Sequence, residues 1–191
     1  MLAAALAASA AGLSAPAAAQ GQAPRMARPV PGDVLVFAAG DKAGKPVTAD
    51  DLTPGAPQVL AWAMEPGSGV VRSGSRLNQV ILLRFDPASL EGETASRAAG
   101  GIVAYSAVCT HQQCPVSEWR GDKGVLHCPC HQSEFDPKQG GKVVGGPATR
   151  SLAALPLKAA DGVRTADGEA AADGVLVVDK PFVGKIGAAT T

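Results

Sequence analysis

Short apolar runs punctuate the chain at 34–37, 58–62, 79–85, 102–106, 124–128, 142–144 and 175–178. Each has the length of a strand and is too short for an independent helix. Several, such as Val80-Ile81-Leu82-Leu83, are continuous, not alternating, which suits strands in a packed antiparallel sandwich. Asp136-Pro137-Lys138-Gln139-Gly140-Gly141 predicts a turn between two strands, because proline fixes φ and glycine tolerates positive φ.

Composition narrows this further. With 23 glycines, 15 prolines and 4% aromatics in 191 residues, the expected class is all-β and loop-rich, not a helical bundle. The length suits one domain. Lys+Arg and Asp+Glu number 17 each, so net charge gives no electrostatic case for nucleic acid or an anionic membrane. Gly140-Gly141 and Gly145-Gly146 lack the Lys-Ser/Thr and the strand-to-helix setting of a phosphate loop.

The first 19 residues are expected to be an export signal. Residues 2–13 are nearly all Ala and Leu, and Ala17-Ala18-Ala19 before Gln20 makes a small-residue cleavage site. The first basic residue is Arg25, so the positive stretch of such a leader would have to lie upstream; twin arginines there would export the protein folded. An uncleaved anchor is the rival reading, weakened by a stretch this Ala-rich and barely long enough to span a bilayer. A Pro-containing linker follows at 20–31. The location expected is periplasmic, with membrane association only through a retained leader or a partner.

Chemistry concentrates in two boxes. Cys109-Thr110-His111-Gln112-Gln113-Cys114 and Cys128-Pro129-Cys130-His131 hold all four cysteines and two of three histidines. Each offers a Cys and a His at ligand spacing, plus one further Cys. Two thiolates and two imidazoles suit a mixed-ligand [2Fe–2S] cluster, with His replacing Cys on one iron. Structural zinc and a pair of plain disulfides are the alternatives, although zinc sites usually use both cysteines of a box. His127 falls outside the pattern and is expected to face solvent or a neighbour from a strand.

The boxes resemble those of high-potential Rieske proteins, Cys-x-His-x-x-Cys followed by Cys-x-Cys-His. The resemblance implies a Rieske fold, with an antiparallel β-sandwich base and a small three-stranded cluster-binding subdomain, here expected at 105–150 within a domain at 32–191. It implies that Cys109 and Cys128 bind the buried iron, that His111 and His131 bind the outer one, and that Cys114 and Cys130 form a disulfide tying the loops together. Gly145-Gly146-Pro147-Ala148-Thr149 matches the loop that covers the cluster on a third side, where glycine lets backbone approach closely; a plain strand-ending turn is the alternative. Ferredoxins of ring-hydroxylating oxygenases lack the second cysteine pair, which points to the respiratory branch. The implied activity is one-electron transfer at about −150 to +300 mV, against about −400 mV for all-Cys plant-type clusters. Reduction should raise the proton affinity of the outer nitrogens of His111 and His131, coupling electron and proton at high pH.

Two departures bear on tuning and partners. In the cytochrome bc type, Ser and Tyr hydroxyls after the second box both donate to cluster sulfur and raise the potential. Here Ser133 matches but Phe135 has no hydroxyl, so the expected potential lies below that of the two-donor members. Quinol-oxidising members usually carry Leu after the first-box His, whereas this chain has Gln112-Gln113. A polar tip suits a hydrophilic protein surface and points to the small subunit of an arsenite-oxidase-like complex. The partners implied are a molybdenum catalytic subunit as donor and a c-type cytochrome or cupredoxin as acceptor. The alternatives are the Rieske subunit of a quinol–cytochrome c reductase, working with cytochrome b, and a free soluble carrier.

Two segments look peripheral. Residues 86–100 could pack over the base or touch a partner. Ala159-Ala160-Asp161-Gly162-Val163 recurs as Ala171-Ala172-Asp173-Gly174-Val175, a slipped duplication lengthening a hairpin loop. Trp119, in the spacer, is expected to be buried in the subdomain, with a docking anchor as the alternative.

Overall fold

Ten antiparallel strands form two sheets in the computed structural model, which describes residues 24–166, 168 and 170–188. The expected export signal and residues 20–23 of the linker lie outside these. No helix among the described residues is long and apolar enough to cross a membrane.

The larger sheet holds β1 (Val34–Phe37), β2 (Val59–Met64), β3 (Val80–Arg84), β4 (Ile102–Ser106), β9 (Leu157–Ala160) and β10 (Val175–Val178), in the order β4-β3-β2-β1-β10-β9. Its outer strands meet: Leu155 N, just before β9, donates to Ala104 O at 2.9 Å, and Ser106 N donates to Ala153 O at 2.8 Å. The sheet therefore curls over an interior of Leu35, Ala61, Leu82, Ala104, Leu157 and Leu176, drawn from all six strands. Each leucine fully buried there contributes roughly 1.5–3 kcal/mol.

The smaller sheet is β5 (Glu118–Arg120), β6 (Val125–Cys128), β7 (Ser133–Asp136) and β8 (Lys142–Gly145), in sequence order. It has four strands where the resemblance implies three, and Tyr105 and Ser106 of the expected 105–150 subdomain are the end of β4 in the base sheet. The additional strand, β5, pairs Glu118 with His127, Trp119 with Leu126 and Arg120 with Val125. Its two charged residues mask it in the sequence.

The two sheets share a core. Ile81, Leu83, Val103 and Tyr105 on the outer face of β3 and β4 pack against Leu126 and Phe135 of the small sheet, together with Cys109 and Cys128. Strands β3 and β4 are thus covered on both faces, which explains their unbroken apolar runs. Tyr105 OH donates to Pro137 O at 2.7 Å, fixing the β7–β8 turn to the base. Trp119 is half-buried, meets the Phe85 ring edge-on at 5.8 Å and donates its indole N–H to Gly55 O; it fastens the sheets together.

Residues 86–100 carry the short helix α1 (Glu93–Arg97) and pack over the base through buried Leu90. The duplicated Ala-Asp-Gly-Val segments flank the β9–β10 hairpin loop, where Asp161 Oδ1 accepts from Gly174 N at 2.7 Å.

Candidate functional site

Strand β4 delivers the first box. Beyond it, Val108 and Pro115 bridge, Cys109 N donates to Cys114 O at 2.8 Å, and Gln113 N donates to Cys109 O at 3.0 Å. This closes a tight loop with Gln113 in the left-handed region, φ 59°. The second box caps the β6–β7 hairpin, where Cys128 pairs with Ser133 and Gln132 takes φ 61°. A third loop follows β8. Thr110 Oγ1 donates to Arg150 O at 2.6 Å, tying this loop to the first box.

The third loop lies hard against the second box. A Cβ on Gly146, at φ 76°, would stand 2.3 Å from Gln132 O and 2.6 Å from Ser133 Cα, so only glycine fits. Ala148 N donates to Ser133 Oγ at 3.3 Å, while Pro147 faces solvent.

Cys114 and Cys130 form a disulfide joining the first two boxes, with Cα atoms 6.4 Å apart. The sulfurs of Cys114, Cys128 and Cys130 lie within 4.8 Å of one another. With two of them bridged, only Cys128 of this trio retains a thiol. Cys109 and Cys128 are free, each 1% exposed, and share a hydrogen bond. Burial pushes the Cys128 thiol up; backbone N–H groups of Cys130 and His131 favour the thiolate, while neighbouring Cys109 adds to the rise. Bound metal cations overturn this balance by deprotonating a coordinating thiol outright.

The imidazoles of His111 and His131 meet edge to face, centroids 4.7 Å apart. His131 is exposed and His111 half-buried. His111 Nδ1 is buried and has no hydrogen-bond partner, an unusual state for a polar atom. That unpartnered ring nitrogen and the two contiguous thiols fit a mixed-ligand iron–sulfur cluster: Cys109 and Cys128 would hold it on the core side, His111 and His131 on the solvent side.

His127 faces a neighbour, not solvent. It is 1% exposed, with Nδ1 2.8 Å from Glu118 Oε2 and Nε2 3.1 Å from Gln132 Oε1. Gln132 Nε2 donates to Pro129 O at 3.0 Å, so this chain braces the second-box loop. Sequence reasoning missed the bracing role; the β5–β6 register that pairs Glu118 with His127 is its signal. Phe135 is fully buried in the shared core with Cys109 and Cys128.

Two thiols, two imidazoles and a loop-tying disulfide on an all-β frame define an iron–sulfur electron-transfer protein. Residues 76–156 match the model of the Rieske [2Fe–2S] domain family, so the chain carries a Rieske domain and its [2Fe–2S] cluster, and the zinc reading is set aside. A Haloferax mediterranei protein named as a respiratory nitrate reductase Rieske subunit is 37% identical over 93 residues, covering 49% of this chain and 40% of that protein. The cytochrome bc1 complex Rieske iron–sulfur subunit of Mycobacterium tuberculosis is 33% identical over 142 residues, covering 64% of this chain and 33% of that protein. The matches thus span well under two thirds of these relatives' length. Among solved structures, the plasma membrane Rieske protein of Synechocystis PCC 6803 aligns at 24% identity and TM-score 0.36, over 62% of this chain and 84% of that one.

Proposed function

We propose that this Rieske electron-transfer protein is an exported, periplasmic one-electron carrier, the small subunit of an oxidase complex resembling arsenite oxidase. In this reading a molybdenum catalytic subunit donates the electron and a c-type cytochrome or cupredoxin accepts it. When bound, the cluster supplies a single electron at about −150 to +300 mV. Cys109 and Cys128 hold its inner side in the core, away from water. His131 and, in part, His111 bring its outer side to the surface, where a partner approaches.

The observation that carries the reading is the polarity of that surface. Exposed Gln112 follows His111, and exposed Gln132 follows His131. Neither histidine is followed by an apolar side chain suited to a lipid-facing quinol pocket, and amides suit the hydrated face of a protein partner. The bc1 name of the Mycobacterium tuberculosis relative favours the second reading, a quinol–cytochrome c reductase subunit.

Affinity capture of the tagged chain from soluble and membrane fractions of the native host separates the two. Recovery in the soluble fraction with a large molybdenum subunit is expected. Recovery from membranes with a b-type cytochrome would replace this reading by the second.

A further inference from the structure

A formal net charge of zero hides a separation of charge along the molecule. The segments that build the cluster end are 73–79, 107–117, 129–133, 145–151 and 183–188, and none contains an acidic residue. They contain three cations, Arg76, Arg150 and Lys185. Arg76 is exposed and donates to Gln113 O of the first box at 2.6 Å. Arg150 follows the third loop and donates to Gly187 O at 2.6 Å, which lays the 184–188 strap against Gln113. Lys185 projects from that strap, exposed. Among the described residues none of the three has a carboxylate within ion-pair distance.

The acids on the small sheet next to these segments are already occupied. Glu134 beside Gly145 pairs with Arg120 and Lys123, both at 3.1 Å, and these hold its carboxyl below the usual range. Glu118 faces His127. A groove of about 510 Å³ next to the third loop adds Arg97, Ser151 and Val183 to Arg150 and Lys185, again without an acid. Arg97 is spoken for by Glu93. Lys185 on the strap and Arg76 at the first box are therefore the cations left facing outward.

We propose that this carboxylate-free ring is a docking surface for a redox protein whose own electron-entry face is acidic. The proposal rests on the electron-carrier reading and adds the chemistry of the partner. Charge complementarity selects the occupant. Unpaired cations beside an electron exit raise the encounter rate with an anionic face, and rates steered this way fall steeply with ionic strength. A protein is favoured over an anionic membrane because Arg76 and Arg150 are tied to the first-box loop that carries His111, on the side where an electron has to leave.

The test uses two small oxidants of opposite charge, ferricyanide and the tris-phenanthroline cobalt(III) cation, on the reduced full-length protein in stopped flow. Each event moves one electron from the protein to the reagent, giving ferrocyanide or cobalt(II). Between about 0.01 M and about 1 M salt the ferricyanide rate falls and the cobalt rate rises. At the low-salt end, Arg76→Gln and Lys185→Gln each slow ferricyanide about threefold or more, from the loss of one unit charge near a trivalent anion. Arg76→Lys keeps the rate, and Lys185→Gln leaves the paramagnetic signal of the reduced cluster unchanged.

Rates that ignore salt, or a loss in Arg76→Lys equal to that in Arg76→Gln, would overturn the proposal while leaving the carrier reading intact. Binding to phosphatidylglycerol vesicles that the double Gln variant abolishes would reassign the ring to a lipid surface. A wild-type protein with no reduced-cluster paramagnetic signal would overturn both readings.

Discussion

Cys128 and Ser133 face each other as paired residues across the β6–β7 hairpin, and both are buried. Ser133 Oγ already accepts the Ala148 N–H. Its own hydrogen is then free to donate, since a hydroxyl offers one donor alongside its acceptor lone pairs. A donor aimed at cluster sulfur stabilises the reduced, more negative state. Ser133→Ala should lower the reduction potential by on the order of 60 mV, one hydrogen bond to a charged group converted at about 59 mV per tenfold change. Phe135→Tyr, which adds a hydroxyl in the same core beside Cys109 and Cys128, should raise it by a similar amount. Film voltammetry on cluster-loaded variants reads both, and unchanged potentials would remove Ser133 and Phe135 from the tuning argument.

Gly146 and Gly140 share a positive φ and differ in surroundings. A side chain on Gly146 would strike Gln132 O, whereas one on Gly140 has only Thr94 Oγ1, at 3.7 Å, within reach. Gly140→Ala should cost about 1–2 kcal/mol of stability from the backbone alone and leave the visible circular dichroism of the cluster unchanged. Gly146→Ala should also push the third loop off the second box and lower the temperature at which the cluster is lost. Equal behaviour of the two variants would mean that the close approach is irrelevant.

What the sequence makes legible follows from how burial writes itself into residue type. Strands β1, β3, β4 and β10 are covered on both faces or nearly so, and their apolar runs locate them within a residue or two. Strand β7 is read only as one side of a turn, because Ser133 and Phe135 point inward while Glu134 and Asp136 point out, leaving one apolar residue to see. Strand β9 buries only Leu157. The boxes bring the candidate donors to notice because cysteine and histidine are rare here. The His127–Gln132–Pro129 brace is invisible, since it depends on strand register and on one amide's orientation.

Asp33, just before β1, and Arg72, beside β2, form a buried two-bond pair at 2.5 and 2.9 Å. Asp33→Ala would strand the Arg72 guanidinium and should cost about 3–5 kcal/mol. Replacing both together, Asp33→Leu with Arg72→Met, should recover most of that loss. Thermal melts of the single and double variants check this, with the reduction potential unchanged in each.

Asp51 gives the acid limb of stability a specific contributor. Burial pushes its carboxyl up, but hydrogen bonds from Lys42 and from the Thr48 N–H and hydroxyl outweigh it and leave the group lowered. Its stabilisation is therefore complete above the unfolded value, about 3.9, and fades as pH falls through the lower folded value. Asp51→Asn should reduce stability at neutral pH and make the decline below about pH 4 shallower. Urea midpoints across that range would show it, and parallel curves would rule Asp51 out.

The Cys114–Cys130 disulfide closes a separation of 16 residues that contains all of β5 and β6. On the chain-entropy view such a link is worth roughly 3 kcal/mol. That stabilisation falls on the small sheet and its two loops, because the large sheet closes through β4 and the residues before β9. The Cys114→Ser, Cys130→Ser double variant should therefore keep the far-ultraviolet signature of the base sheet while losing iron on mild heating. Iron content and the paramagnetic signal of the reduced protein report the site, and far-ultraviolet melts report the frame. Simultaneous loss of site and frame would mean that the two sheets unfold as one unit through their shared core of Phe135, Leu126 and Ile81.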